Sequence, residues 1–240
     1  MAKKDIFYKN YLYSISYDIV NLNATKDVVF LHGWGSNKEV MKTAFSSYLQ
    51  EMRHIYIDMP GFGNSTNEQV LTTSDYEEII KIFLNEIKST PEVIVGHSFG
   101  GKVATLLNPK YLVLLSSAGI LEEKPLNVKI KIALTKILGR LGLREFTKVF
   151  RTKDASNMPQ NMYETLKNVV NEDFSTHFAE FKNTALIFWG TKDKATSLQS
   201  GKKISELIKD SNFHALNGDH YFFLQHAKFI SEVIKSNVLD

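Results

Sequence analysis

The chain has 240 residues, 43% hydrophobic, 12% aromatic and 23% charged, with a formal net charge of +3; this fits one large folded unit carrying an insertion, or two units, and excludes disordered, collagen-like and coiled-coil chains. Apolar runs such as 28–31 and 111–115 fall far short of the ~18 residues a membrane-crossing helix needs, the start Met1-Ala2-Lys3-Lys4-Asp5 does not read as a signal peptide, and so mild a charge does not call for nucleic acid. The absence of cysteine removes disulfides, thiolate nucleophiles and cysteine-bound metals, and the expected setting is the cytoplasm.

In chain order, residues 5–20 alternate in the strand manner (Tyr11, Tyr13, Ile15, Tyr17, Ile19) and predict two antiparallel strands, with a polar turn at 21–27. Short apolar runs then alternate with amphipathic segments of helical length, the pattern of parallel strands joined by crossover helices. Strands are expected at 27–32, 54–59, 92–97, 111–116, 184–189 and 212–216, and helices at 37–52, 74–89, 99–107, 196–209 and 221–236. Ser74 ahead of Glu77 and Glu78 reads as a capping start to the second helix. Residues 120–181 carry helical patterning without a strand. The expected fold is therefore α/β: a mostly parallel, doubly wound sheet with antiparallel N-terminal strands, a core of 1–119 and 182–240, and a helical cap over 120–181.

Gly96-His97-Ser98-Phe99-Gly100 satisfies Gly-x-Ser-x-Gly directly after the apolar run Val93-Ile94-Val95. A tight strand-to-helix turn would expose the serine, and the flanking glycines remove side chains that would collide there. A serine hydroxyl is a poor nucleophile at neutral pH, so it needs a histidine base and a carboxylate to hold the imidazole tautomer. Asp193, just past the strand at 184–189, and His220, just past the last strand, fall in the chain order expected of such a triad. A loop aspartate is also a common helix N-cap, so Asp219 and Asp210 stand as alternative acids, although Asp219 would have to fold back on its own neighbour. His97 alternates away from Ser98 and is assigned to packing or pocket lining, not to the role of base. The glycines of His32-Gly33-Trp34-Gly35 let the backbone curl toward the serine, making the Trp34 and Phe99 N–H groups the candidate oxyanion donors.

In combination these pieces, with Asp58-Met59-Pro60-Gly61-Phe62-Gly63-Asn64-Ser65 after the second parallel strand, resemble the α/β-hydrolase superfamily over nearly the whole chain. Within it the sequence is most similar to capped, cofactor-free carboxylesterases, in particular the pimeloyl-carrier-protein methyl ester esterases of biotin synthesis. The resemblance implies catalysis by Ser98, Asp193 and His220, substrate contacts from Trp34, Phe99 and Tyr221, and neither cofactor nor metal. The related C–C bond hydrolases of meta-cleavage products usually carry Met after the nucleophile and Trp after the histidine, where this chain has Phe99 and Tyr221. The proline frequent after the family's acid is absent from Lys194-Ala195-Thr196.

Between Lys124 and Lys153 nine basic residues face a single acid, Glu145, for a local net charge of +8. A solvated helix face over an apolar lid accounts for this, and so does a surface including Lys129, Lys136 and Arg140 that receives an acidic acyl carrier protein or an anionic membrane. The functional expectation is a serine carboxylic-ester hydrolase acting on a small or carrier-bound ester. C–C bond hydrolysis of a dienoate on the same triad and a catalytically silent ligand-binding protein are the alternatives.

Overall fold

The chain opens in a β-hairpin. In the computed structural model, which describes residues 1–121 and 158–239, β1 (Ala2–Tyr8) pairs antiparallel with β2 (Tyr11–Val20), Ala2 opposite Tyr17 and Tyr8 opposite Tyr11. The connecting Lys9 and Asn10 take positive φ of 48° and 67°, as a two-residue hairpin turn matched to strand twist requires. The ladder starts at Ala2, ahead of the expected position 5, because backbone pairing carries the polar Lys3 and Lys4 along.

The sheet has eight strands in the order β1-β2-β4-β3-β5-β6-β7-β8, completed by β3 (Lys26–Leu31), β4 (Met52–Ile57), β5 (Val93–His97), β6 (Tyr111–Leu115), β7 (Thr184–Gly190) and β8 (Ser211–Leu216). β2 meets β4 antiparallel, and every pairing from β4 to β8 is parallel. β3 begins at Lys26, one residue ahead of the expected 27, and Arg53 on the neighbouring strand donates to the two Asp27 carboxylate oxygens at 2.7 and 2.6 Å.

Helices cover both faces. Val28 and Phe30 join the cluster that packs on α1 (Lys38–Phe45) and on the C-terminal helix Phe223–Val238, while Val29 and Leu31 join the opposite cluster with α2 (Thr73–Glu86) and α3 (Phe99–Leu106). Side chains that alternate across a strand thus feed two cores, which is why the central strands read as continuous apolar runs. α1 stops at Phe45 instead of running to 52, since Leu49 turns the chain with φ 50° and Met52 already belongs to β4. α2 is capped two residues earlier than Ser74: the Thr72 hydroxyl accepts from Asp75 N, and the Asp75 carboxylate accepts from Thr72 N at 2.8 Å.

Past Gly119, the described part of the expected cap holds α4 (Gln160–Val170) and α5 (Ser175–Glu180). Thr165 Oγ1 accepts from Leu71 N at 2.9 Å and Asn168 Nδ2 donates to Leu71 O at 3.2 Å, so α4 docks on the segment leading into α2. The basic stretch from Lys124 to Lys153, including Lys129, Lys136 and Arg140, lies outside the described residues. The last two helices are α6 (Leu198–Leu207) and α7 (Phe223–Val238). Among the described residues no helix is long and apolar enough to cross a membrane.

A buried ion pair fixes the loop after β4. Asp58 receives Lys38 Nζ at 2.8 Å, Lys38 N at 2.7 Å and Asn64 N at 3.0 Å, with both side chains almost wholly out of solvent. Burial favours the neutral carboxyl, but these donors hold the Asp58 pKa below its usual range. Removing one partner strands a buried charge. Asp58→Asn is expected to lower the urea-unfolding free energy by about 3 kcal/mol, and a loss below about 0.5 kcal/mol, the scale of an exposed pair, would contradict this account.

Candidate active site

Between the end of β5 and the start of α3, Ser98 is held at φ 52°, ψ −116°. An L-residue pays about 1–3 kcal/mol for such a backbone, so the surroundings must impose it. Ser98 N–H donates to Leu115 O at 3.1 Å, and Ser98 O accepts from Gly101 N and Ala118 N, each at 3.0 Å. The flanking glycines permit the approach: a Cβ on Gly96 would lie 2.5 Å from Gly100 O, and one on Gly100 would lie 2.4 Å from Leu31 O. The half-buried serine lines a cavity of about 480 Å³ together with Trp34, Phe99, Lys102, Val169 and Thr196.

Asp193 and His220 are brought together by hydrogen bonds that prolong the sheet. Past the end of β7, Thr191 N–H donates to Leu216 O at the end of β8 and Lys192 N–H to Gly218 O, both at 2.8 Å. His220 Nδ1 then lies 2.7 Å from Asp193 Oδ2. The Asp193 side chain is 0% exposed and that of His220 18%, so the acid is sealed while the imidazole edge is reachable. Burial alone would raise the Asp193 pKa, but the contact with His220 and the N–H of Thr196 outweigh it and hold the pKa at about 2. An ionised carboxylate only accepts, so the proton between the two belongs to Nδ1 and the lone pair of the neutral ring sits on Nε2. No proline is needed to shape this loop, because Asp193 Oδ1 accepts from Ala195 N at 2.8 Å and Thr196 N at 3.1 Å. The alternative acids are engaged elsewhere: Asp219 Oδ1 accepts from Tyr221 N, and Asp210 Oδ2 from Thr184 Oγ1.

His32, past the end of β3, positions the glycine loop. Its ring lies 2.7 Å from Gly33 O through Nδ1, and Nε2 accepts from Met59 N at 3.1 Å. Burial keeps it neutral, with a pKa pushed down to about 4. Trp34 N–H donates to no carbonyl among the described residues, and Phe99, as the first residue of α3, has no acceptor within its own helix. The Trp34 ring meets Phe62 and Phe99 edge-on, at 4.8 and 5.6 Å between centroids.

Two placements qualify the sequence reading. Among the described residues no hydrogen bond joins Ser98 Oγ to His220, and contacts of this kind are commonly long before substrate binds. Tyr221 is not in the cavity lining; its ring, 40% exposed, packs 5.7 Å from His220 and 5.1 Å from His97. Lys102 and Glu172, by contrast, were not anticipated. Buried Lys102 donates to Val169 O at 2.8 Å, pairs with Glu172 at 2.6 Å and lies 4.6 Å over the Phe174 ring. The available signal was a single lysine in the otherwise apolar α3, one turn past Ser98. Among the described residues no group of three or more His, Asp or Glu side chains is placed to hold a metal ion.

The alpha/beta hydrolase family model matches residues 28–233. The pimeloyl-acyl-carrier-protein methyl ester esterase of Shewanella woodyi is 34% identical over 98 residues, 41% of this chain and 36% of that protein. Its counterpart from Vibrio campbellii is 34% identical over 108 residues, 41% of this chain and 40% of that protein. The chain thus spans well under half the length of these relatives. A solved esterase from Exiguobacterium antarcticum superposes with a TM-score of 0.74 at 21% identity, covering 95% of this chain and 96% of that one, and shares its fold.

The depressed Asp193 pKa makes a pH-dependent contribution to stability. Between the ordinary 3.8 and the folded value of about 2, the unfolded chain binds the extra proton; the contribution is therefore complete above that window and lost as pH falls through it. The difference in unfolding free energy between the parent chain and Asp193→Asn is expected to change between pH 4 and pH 2. A difference that stays flat across this range, measured by denaturant titration, would contradict the assignment.

Proposed function

The chain belongs to the alpha/beta hydrolase family, and from that premise we propose that it is a cofactor-independent serine hydrolase of carboxylic esters. The carrying observation is the 2.7 Å contact between His220 Nδ1 and the sealed, ionised Asp193, with the His220 backbone 3.0 Å from the side chain of His97, the residue before the strained Ser98. In this reading Ser98 Oγ attacks the acyl carbon while His220 Nε2 takes its proton, and the Trp34 and Phe99 N–H groups receive the developing oxyanion. His220 then returns the proton to the departing alcohol, leaving the acyl group on Ser98. Water, deprotonated by His220, attacks that ester, and as the acyl–Oγ bond breaks His220 returns the proton to Ser98 Oγ, releasing the acid and restoring the serine. Asp193 stays ionised throughout and stabilises the imidazolium. Tyr221 flanks the base, its ring packed 5.7 Å from that of His220.

The same reading makes 120–181 a helical cap, supported by the Leu166, Val169 and Val170 side of α4 on the cavity wall. The relatives from Shewanella and Vibrio are named for a carrier-bound methyl ester, and the +8 segment from Lys124 to Lys153 has the charge to attract an acidic carrier. We therefore propose a carrier-bound or small acyl ester as substrate.

Ser98→Ala is expected to abolish fluorophosphonate labelling and to cut p-nitrophenyl ester turnover by at least about a thousandfold. Turnover of a meta-cleavage dienoate without ester hydrolysis would favour the C–C bond reading, and an unlabelled parent protein would favour the ligand-binding one. If the basic segment recruits a carrier, kcat/KM for the carrier-bound ester should fall steeply with ionic strength while that of a neutral ester hardly moves. Equal salt responses would exclude recruitment.

A further inference from the structure

His97 ends β5 one residue before Ser98 and is completely buried. Its Nε2 lies 3.0 Å from the backbone carbonyl of His220, and a carbonyl can only accept, so Nε2 carries the hydrogen and donates. The ring packs on the same loop, with centroids 4.6 Å from His220, 5.1 Å from Tyr221 and 4.8 Å from Phe223. On its other side the ring meets the glycine loop: a Cβ built on Gly33 would stand 2.9 Å from His97 Nδ1 and 3.1 Å from Ser98 Cβ. One imidazole thus touches the loop of the base and the loop of the oxyanion donors, and is carried by the residue that precedes the nucleophile in the chain.

Nδ1 is buried without a hydrogen-bond partner. An aromatic ring of carbon would fill the space without that unpaired acceptor, whose burial is unfavourable. Burial, reinforced by the neighbouring His220, pushes the pKa of His97 down to about 3, so the ring is neutral and has one N–H to give. What histidine adds over an apolar side chain here is that one donor, aimed at the His220 carbonyl.

We propose that His97 is a positioning residue, whose Nε2–H ties the backbone of His220 to the nucleophile strand and thereby sets the imidazole against both Asp193 and Ser98. The proposal rests on the reading of His220 as the base and adds to it a named support. His97 itself moves no proton.

The test compares His97→Leu, which keeps an apolar side chain and deletes the donor, with His97→Gln, whose amide N–H reaches a similar point. In the Leu variant kcat for a p-nitrophenyl ester is expected to fall between about ten- and a hundredfold with KM little changed, since small misplacements of a catalytic group cost this much. The Gln variant should recover most of the loss. The downfield proton resonance of His220 Nδ1–H should be sharp in the parent, broaden in the Leu variant and return in the Gln variant. Parental kcat and an unchanged resonance in the Leu variant would overturn the proposal, as would a Gln variant as impaired as the Leu one. If the Leu variant does not fold, His97→Asn replaces it: its shorter amide does not reach the carbonyl, so Asn must be impaired where Gln is not. A parent protein that turns over no ester would fail the hydrolase reading, while the resonance still decides the role of His97.

Discussion

A serine backbone held at φ 52°, ψ −116° is the constraint around which the rest of this structure is arranged. The conformation is unfavourable for any side chain with a Cβ, so it persists only because neighbouring strands grip it. Leu115 O on β6 takes the Ser98 N–H, while Ala118 and Gly101 donate to Ser98 O. Gly96 and Gly100 let helix and strands approach to distances no methyl group would tolerate. The outcome is a hydroxyl at the cavity wall, on the rigid edge of a parallel sheet and not on a free loop.

Asp193 and His220 are placed by an extension of the same sheet. The Thr191 and Lys192 amides continue the β7–β8 pairing past the strand ends, which sets the sealed Asp193 against His220. His97 supplies the cross-tie from the serine side, through the carbonyl of His220. On α3, one helical turn beyond the serine, Lys102 holds the end of α4 through Val169 O and Glu172. Local backbone geometry, strand pairing and buried hydrogen bonds therefore converge on one rim, where the reading as a serine hydrolase places its chemistry.

Much of this was legible in the sequence because it depends on local rules. Runs such as Val93-Ile94-Val95 are apolar on both faces because helices cover both faces, and a Gly-x-Ser-x-Gly turn follows one of them directly. Details resting on long-range partners were not legible. The forked pair that Arg53, on the neighbouring strand, makes with Asp27 in β3 joins residues 26 positions apart and has no local signal. The cap of α2 falls on Thr72 because Asp75 can reach back to it, a reciprocity that Ser74 lacks. The proline frequent in the family is absent after Asp193, and the carboxylate itself closes that turn on Ala195 and Thr196. His97 reads as packing, which it does, but the donor it offers to a carbonyl 123 positions away is invisible to periodicity.

The most direct test of the central claim is to catch the acyl group on the protein. Quenching the enzyme with acid during turnover of a p-nitrophenyl ester, followed by intact mass measurement and peptide mapping, should reveal one added acyl group on the peptide carrying Ser98. That group should disappear when the ester is exhausted. Steady turnover with no adduct under any quench time, or an adduct confined to another residue, would contradict the account.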